Sequence, residues 1–227
     1  MDLDMLPIGR VGGLQNMSSP LHEQPCSARS MACSKCESHG KLDACDDIRH
    51  PECCGRDSRL TFEEQRTMMT LWSISKSTLF VGGDPTAMSD AQASLFLNEE
   101  VLHVNAAGTR PRQIFCLPQA SCTCNLTNPP AHSHVVWASD LDDGGDIARS
   151  FVALFNLGNS AEIPSVLGGT RSEVSIQLSQ VRASWGAHSN CSMRDLWQGR
   201  ELGRVEGGAV SVSLALHDAA LLSISCS

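Results

Sequence analysis

The feature that most constrains this chain is a change of pattern near residues 105–111. Beyond it, short β-prone segments follow one another at 112–117, 134–139, 150–157, 172–178, 191–197 and 209–216, separated by Gly, Asn, Asp and Pro. In the last of these Val210, Val212, Leu214 and Leu216 alternate strictly, so the strand is expected to bury one face. His217-Asp218 then reads as a turn into Ala220, Leu222 and Ile224. Segments of this length and spacing predict an antiparallel β-sandwich over 105–227.

Upstream the pattern is helical. Thr61 and Glu64 form a capping box before FEEQRTMMTLWSISKS, whose Met68, Leu71 and Trp72 give a broad apolar face. Thr78–Asp84 is a short apolar run closed by glycines, which predicts a buried parallel strand. Ser89 with Gln92 is a second capping box, predicting a helix to about Val104 with Leu95, Phe96 and Leu102 facing inward. Helix, buried strand, helix is an α/β arrangement. Residues 11 to about 60 lack sustained periodicity and read as a long loop or insertion.

A chain of 227 residues, 41% hydrophobic, has room for one large or two modest domains. The net charge of -8 excludes the clustered basic surface that a nucleic-acid backbone requires. No apolar run reaches the roughly 18–20 residues of a membrane span, so no membrane partner is expected. The segment MDLDMLPIGR shows no basic region followed by an apolar stretch, and hence no visible signal peptide.

Eleven cysteines is a high count for this length. Cys26, Cys33, Cys36, Cys45, Cys53 and Cys54 crowd together, Cys116, Cys122 and Cys124 form a second group, and Cys191 and Cys226 stand alone. Disulfides in an oxidising compartment are one reading; a zinc site built on Cys33 and Cys36 with Cys45, Cys53 and His39 or His50 is the other. The second lacks another close pair at metal-ligand spacing. Three sequons, at Asn16, Asn125 and Asn190, agree with secretion.

Three stretches together resemble the α-galactosidase (melibiase) family: DLDMLPIG at 2–9, LTFEEQRTMMTLWSISKSTLFVGGD at 60–84, and the succession VWASDL, VALFNLGN, MRDLW and LALHDAALLSIS. The resemblance implies a (β/α)8 barrel followed by a β-sandwich. Residues 1–104 would then be the last βα units of the barrel, with a Cys-rich insertion at about 11–60, and 105–227 the sandwich. It also implies retaining hydrolysis of terminal α-linked galactose, using two carboxylates about 5–5.5 Å apart. In the family both are aspartates upstream of everything matched here, so no catalytic residue is assigned in this chain and the chain alone is expected to be inactive.

By the same resemblance Asp4 and Met5 line the galactose pocket, the substrate is a galactose-containing saccharide, and no cofactor or metal is implied. The full-length protein would be secreted or reside in a lysosome- or vacuole-like compartment. Asp2 shares a strand face with Asp4, but neighbours on one strand approach a sugar from the same side and cannot flank the reacting bond. Asp84 is expected to be pocket wall or structural, His217 a structural turn residue, and Trp72 and Trp197 core. The Asp140–Asp146 stretch lacks EF-hand spacing and is expected to be a solvated turn. The alternative reading is a non-catalytic carbohydrate-binding or interaction module, or a decayed paralogue. With four Trp, six Phe and no Tyr, stacking platforms for sugars are scarce. A barrel remnant would leave strand edges unpaired, so 1–104 is not expected to be stable by itself, whereas 110–227 is.

Overall fold

A computed structural model describes residues 5–11, 56–117, 134–142, 144, 147–158, 171–186 and 190–227. They fall in two compact units. The larger comprises Phe62–Leu79 and Leu95–Ser227 and holds the β-sandwich expected from the sequence.

Its main sheet has six antiparallel strands. β3 (Thr109–Leu117), β4 (His134–Leu141) and β5 (Ala148–Asn156) form a meander, and β10 (Ala219–Cys226) returns to lie beside β5. β7 (Cys191–Asp195) and β8 (Arg200–Arg204) complete the order β3-β4-β5-β10-β7-β8. A second sheet pairs β6 (Ser172–Gln177) with β9 (Ala209–Leu214). Alternation does the sorting: Val136, Val152, Leu154, Leu222 and Ile224 share one buried cluster with Val174, Ile176, Val210 and Leu214 of the smaller sheet. Burial of each such side chain is worth about 1.5–3 kcal/mol, so this cluster dominates the stability of the unit.

The main sheet is covered on its other face too. β5 is buried from Ser150 through Asn156, more than an alternating half-exposed strand allows. Its second face, with that of β10, meets α1 (Phe62–Ile74), which buries Met69 and Ile74. α1 is fastened at one turn. Arg66 Nε donates to Asp218 (3.0 Å), the Thr67 hydroxyl donates to the His217 carbonyl (2.7 Å), and Glu64 meets His217 Nδ1 at 2.9 Å. Trp197 Nε1 adds a bond to the Thr70 hydroxyl at 2.9 Å.

Several expectations need correction. The helix begun by the Ser89–Gln92 box, whose reciprocal bonds are present, stops at Leu97, and a second starts at Glu99. Asn98 breaks it: its backbone is extended, its side chain caps Val101 N–H at 3.0 Å, and its amide donates to the Leu196 carbonyl at 2.9 Å. The inward residues of α3 (Glu99–Ala107) are therefore Val101 and Val104, while Leu102 is exposed. Within α2 (Asp90–Leu97) Leu95 is buried, whereas Phe96 is only partly so. Strand β8 was missed because RELGR is a charged edge strand without alternation. The disulfide reading of the cysteines, by contrast, is borne out for Cys191 and Cys226. They are register partners in β7 and β10, buried, with Cα atoms 4.1 Å apart and joined by a disulfide. Their separation of 35 residues hid the pairing.

The smaller unit comprises residues 5–61 and 80–94. Leu6 forms a parallel bridge with Val81, its N–H donating to the Phe80 carbonyl and its carbonyl accepting from Gly82 N–H, both at 2.8 Å. The expected strand at 78–84 is thus present as one parallel bridge, but it is not buried: Phe80 and Val81 are exposed. β1 (Arg10–Val11) and β2 (Arg56–Asp57) pair antiparallel, so the chain leaves for and returns from residues 12–55 at one neck. Limited proteolysis is expected to leave a protected product beginning close to Phe62, detected by N-terminal sequencing. A product beginning near residue 110 would mean that α1 and α3 are not integral to the sandwich unit.

Candidate functional site

Met5, one of the two residues nominated for the sugar pocket, directly precedes the parallel bridge; Asp4, the other, lies outside the described residues. Met5 is 46% exposed, and Phe80 and Val81 on the adjoining segment are 54% and 47% exposed. Apolar side chains on a parallel strand pair are ordinarily covered on both faces. Gly82 explains how closely the segments approach. A Cβ there would lie 3.0 Å from both the Leu6 carbonyl oxygen and Met5 Cβ, so any larger residue would push the two apart. Asp84 follows at the end of this segment and accepts from Thr86 N–H at 2.9 Å and the Thr86 hydroxyl at 2.7 Å. Those bonds cap the short helical turn Pro85–Ala87, which is structural work.

The other candidates resolve as supports. His217 has φ +58°, which the turn between β9 and β10 imposes, and its ring spans Glu64 and the Gly158 carbonyl, each at 2.9 Å. Both ring nitrogens are thus engaged by the protein's own groups. Trp197 is half-buried and tied to Thr70, and Trp72 is half-buried within α1. The two larger cysteine groups and His39 and His50 lie outside the described residues, apart from the backbone of Cys116. Among the described residues no cluster of His, Cys, Asp or Glu could hold a metal ion.

Sequence reasoning missed the most heavily bonded carboxylate. Asp140, expected in a solvated turn, sits buried in β4 and collects three arginines. Arg110 Nε donates to it at 3.0 Å, Arg112 at 3.1 and 3.3 Å, and Arg182 lies 3.4 Å away. Ser150 donates at 2.9 Å. Burial pushes the Asp140 carboxyl up, but the bonds from Arg112 and Ser150 and the charges of Arg112 and Arg182 outweigh it. The group is held below the usual carboxylate range. Among the described residues of that stretch, Asp142 and Gly144 are exposed as expected. The signal was available in the spacing of Arg110 and Arg112, which puts two cations on one stretch of β3 opposite Asp140.

A second charged group lines a cleft of about 450 Å³ beside α3, formed with Glu99, His103, Arg149 and Phe151. There Arg194 grips Glu100 with two bonds of 2.7 Å. The Arg194 bond lowers the Glu100 carboxyl, burial opposes it, and the cation's charge adds to the lowering. A carboxylate held in both oxygens by one guanidinium is a fixed anion, unsuited to proton transfer.

Residues 131–224 match the family model of the alpha galactosidase C-terminal beta sandwich domain. A curated relative, "Probable alpha-galactosidase B" of Penicillium simplicissimum, is 27% identical over 165 residues, covering 73% of this chain and 34% of the relative. The crystal structure of a GH27 β-L-arabinopyranosidase from Geobacillus stearothermophilus superposes with a TM-score of 0.63 and 28% identity, over 98% of this chain and 36% of that one. The α-galactosidase of Saccharomyces cerevisiae, solved with raffinose, shares the fold at a TM-score of 0.58 and 14% identity, over 75% of this chain and 45% of that one. The chain spans about a third of the length of the curated relatives it matches.

The Asp140 group carries a pH signature. Its carboxyl is depressed in the folded state, so its contribution is full above the ordinary carboxylate range and is lost as pH falls through the folded value. Asp140→Asn should cost about 2 kcal/mol near neutral pH. The gap from the wild type should close in acid, where Asp140 itself is protonated. Urea unfolding across a pH series measures this, and a gap constant with pH would refute it.

Proposed function

With residues 131–224 a member of the alpha galactosidase C-terminal β-sandwich family, we propose that the chain is the C-terminal part of a retaining glycoside hydrolase removing terminal α-linked galactose. The observation that carries this reading beyond the sandwich is the parallel bridge between Leu6 and Val81. Parallel neighbours separated by a helix are what the last two βα units of a (β/α)8 barrel supply. Residues 1–104 correspond to those units on this reading, and 105–227 to the sandwich. Exposed Met5, Phe80 and Val81 then mark surface that the rest of the barrel covers. By the resemblance Asp4 and Met5 would line the sugar pocket, since a barrel keeps its substrate at the C-terminal ends of its strands. The nucleophile and acid/base aspartates belong to earlier strands.

The reaction class has a chemical rationale. One carboxylate attacks the anomeric carbon while a second protonates the leaving oxygen, and water then releases the sugar with the roles of the second group reversed. Neither step calls for a cofactor. A carboxylate at the position of Asp4 would accept hydrogen bonds from sugar hydroxyls and hold the ring for attack. Relatives acting on galactosides and on β-L-arabinopyranosides bracket the choice of sugar, since the two rings differ by a hydroxymethyl group. Secretion or delivery to a vacuole-like compartment accords with the buried Cys191–Cys226 disulfide.

An immunoblot against the sandwich tests the reading. After deglycosylation the native product should run well above 24.4 kDa and cleave an α-galactoside, whereas the 227-residue chain alone should not. A native band at 24.4 kDa would instead favour a non-catalytic binding module, and activity in the chain alone would refute the upstream location of both carboxylates. The neck formed by β1 and β2 supports a related proposal, that the Cys-rich insertion shapes the rim of the pocket. Deleting residues 26–54 from the larger protein should alter the relative kcat/KM for different galactosides; an unchanged profile would count against it.

A further inference from the structure

Asn190-Cys191-Ser192 is a sequon whose middle residue is a disulfide partner. The side chains of Asn190 and Ser192 are both exposed, two residues apart, and so project to one side of the strand. Beside them lies an open hollow of about 270 Å³, lined also by Ile147, Arg204, Ser225 and Ser227. Ile147 is 44% exposed there, an apolar surface for one face of a sugar ring, with a guanidinium and hydroxyls around it. The folded chain thus has room for a glycan at Asn190.

The backbone of the sequon is not free, however. The Asn190 carbonyl accepts from Ser227 N–H at 3.1 Å, and the Cys191 carbonyl accepts from Val205 N–H at 2.9 Å. Cys191 is bonded to Cys226, and Ser192 is paired with Ser225 on one side and Arg204 on the other. A sequon must bend to enter a transferase, and this one is held straight where β7 begins, between β10 and β8. Its restraints come from residues 204–227, made after it.

We propose that Asn190 is an N-glycosylation site whose occupancy is decided by a race between glycan transfer and closure of the Cys191–Cys226 disulfide. The co-substrate is a lipid-linked oligosaccharide pyrophosphate. The Asn190 amide nitrogen bonds to the anomeric carbon, the bond from that carbon to the phosphate oxygen breaks, the lipid pyrophosphate leaves, and the nitrogen gives up one proton. Transfer succeeds while β7 is unpaired; once β10 docks and the disulfide forms, the site is closed to the transferase. The inference rests on passage through an oxidising secretory compartment, but not on the enzymatic reading.

The test supplies that passage. The 227-residue chain, given a secretory leader and the substitutions N16Q and N125Q, is expressed in eukaryotic cells, and total cell and medium protein is treated with an N-glycanase. Peptide mass spectrometry should find Asn190 converted to Asp in a fraction of the molecules and unmodified in the rest. Ser192→Ala, an exposed change, should abolish the conversion. Cys226→Ser should raise the converted fraction, and brief treatment of the unaltered cysteines with a membrane-permeant reductant should do the same without any substitution at the disulfide. Asn190 unmodified under every condition would overturn the site. Occupancy unmoved by both the C226S change and the reductant would overturn the race.

Discussion

The sandwich unit depends on the turn at His217–Asp218, where α1 is tied to the sheet. Glu64, Arg66 and Thr67, all within the first two turns of α1, reach three different groups of that turn: a ring nitrogen, a carboxylate and a carbonyl. Asp218 also accepts from Ala219 N–H at 2.7 Å, so the carboxylate that receives Arg66 begins β10 as well. Fixing this turn sets where β10 starts, and β10 lies between β5 and β7 in the middle of the sheet. The left-handed backbone of His217 is a local cost offset by these contacts.

Much of this was legible in the sequence, for a physical reason. Val210 and Leu214, and Ala220, Leu222 and Ile224, bury one side of a pleated strand, and period-two alternation is the direct imprint of that geometry. The Ser89–Gln92 box declared a helix start through local bonds alone. Where the reading failed, the deciding partner was distant. Asn98 stops a helix partly because Leu196 offers it a carbonyl. Asp140 looks like a turn residue until Arg112 and Arg182 arrive from other elements. Cys191 and Cys226 look solitary until β7 and β10 pair.

The candidate sugar site was legible only by resemblance. Nothing in the spacing of Met5, Gly82 and Asp84 announces a pocket, and the structure shows instead why two of them have to be what they are. Gly82 permits close approach to Leu6, and Asp84 caps a turn. The Asp140 and Glu100 carboxylates are held by arginines on both oxygens, which makes them braces.

The outer strands of the six-stranded sheet have a bearing on how this protein behaves at high concentration. β3 carries Pro111 between Arg110 and Arg112, and β8 runs Arg200-Glu201 to Arg204. Proline interrupts the row of donors, and charges of both signs discourage a second strand from adding in register. Segment Phe80–Val81 has no such guard, being apolar and exposed beside Leu6. Self-association of the isolated chain should therefore start from that short parallel pair rather than from β3 or β8.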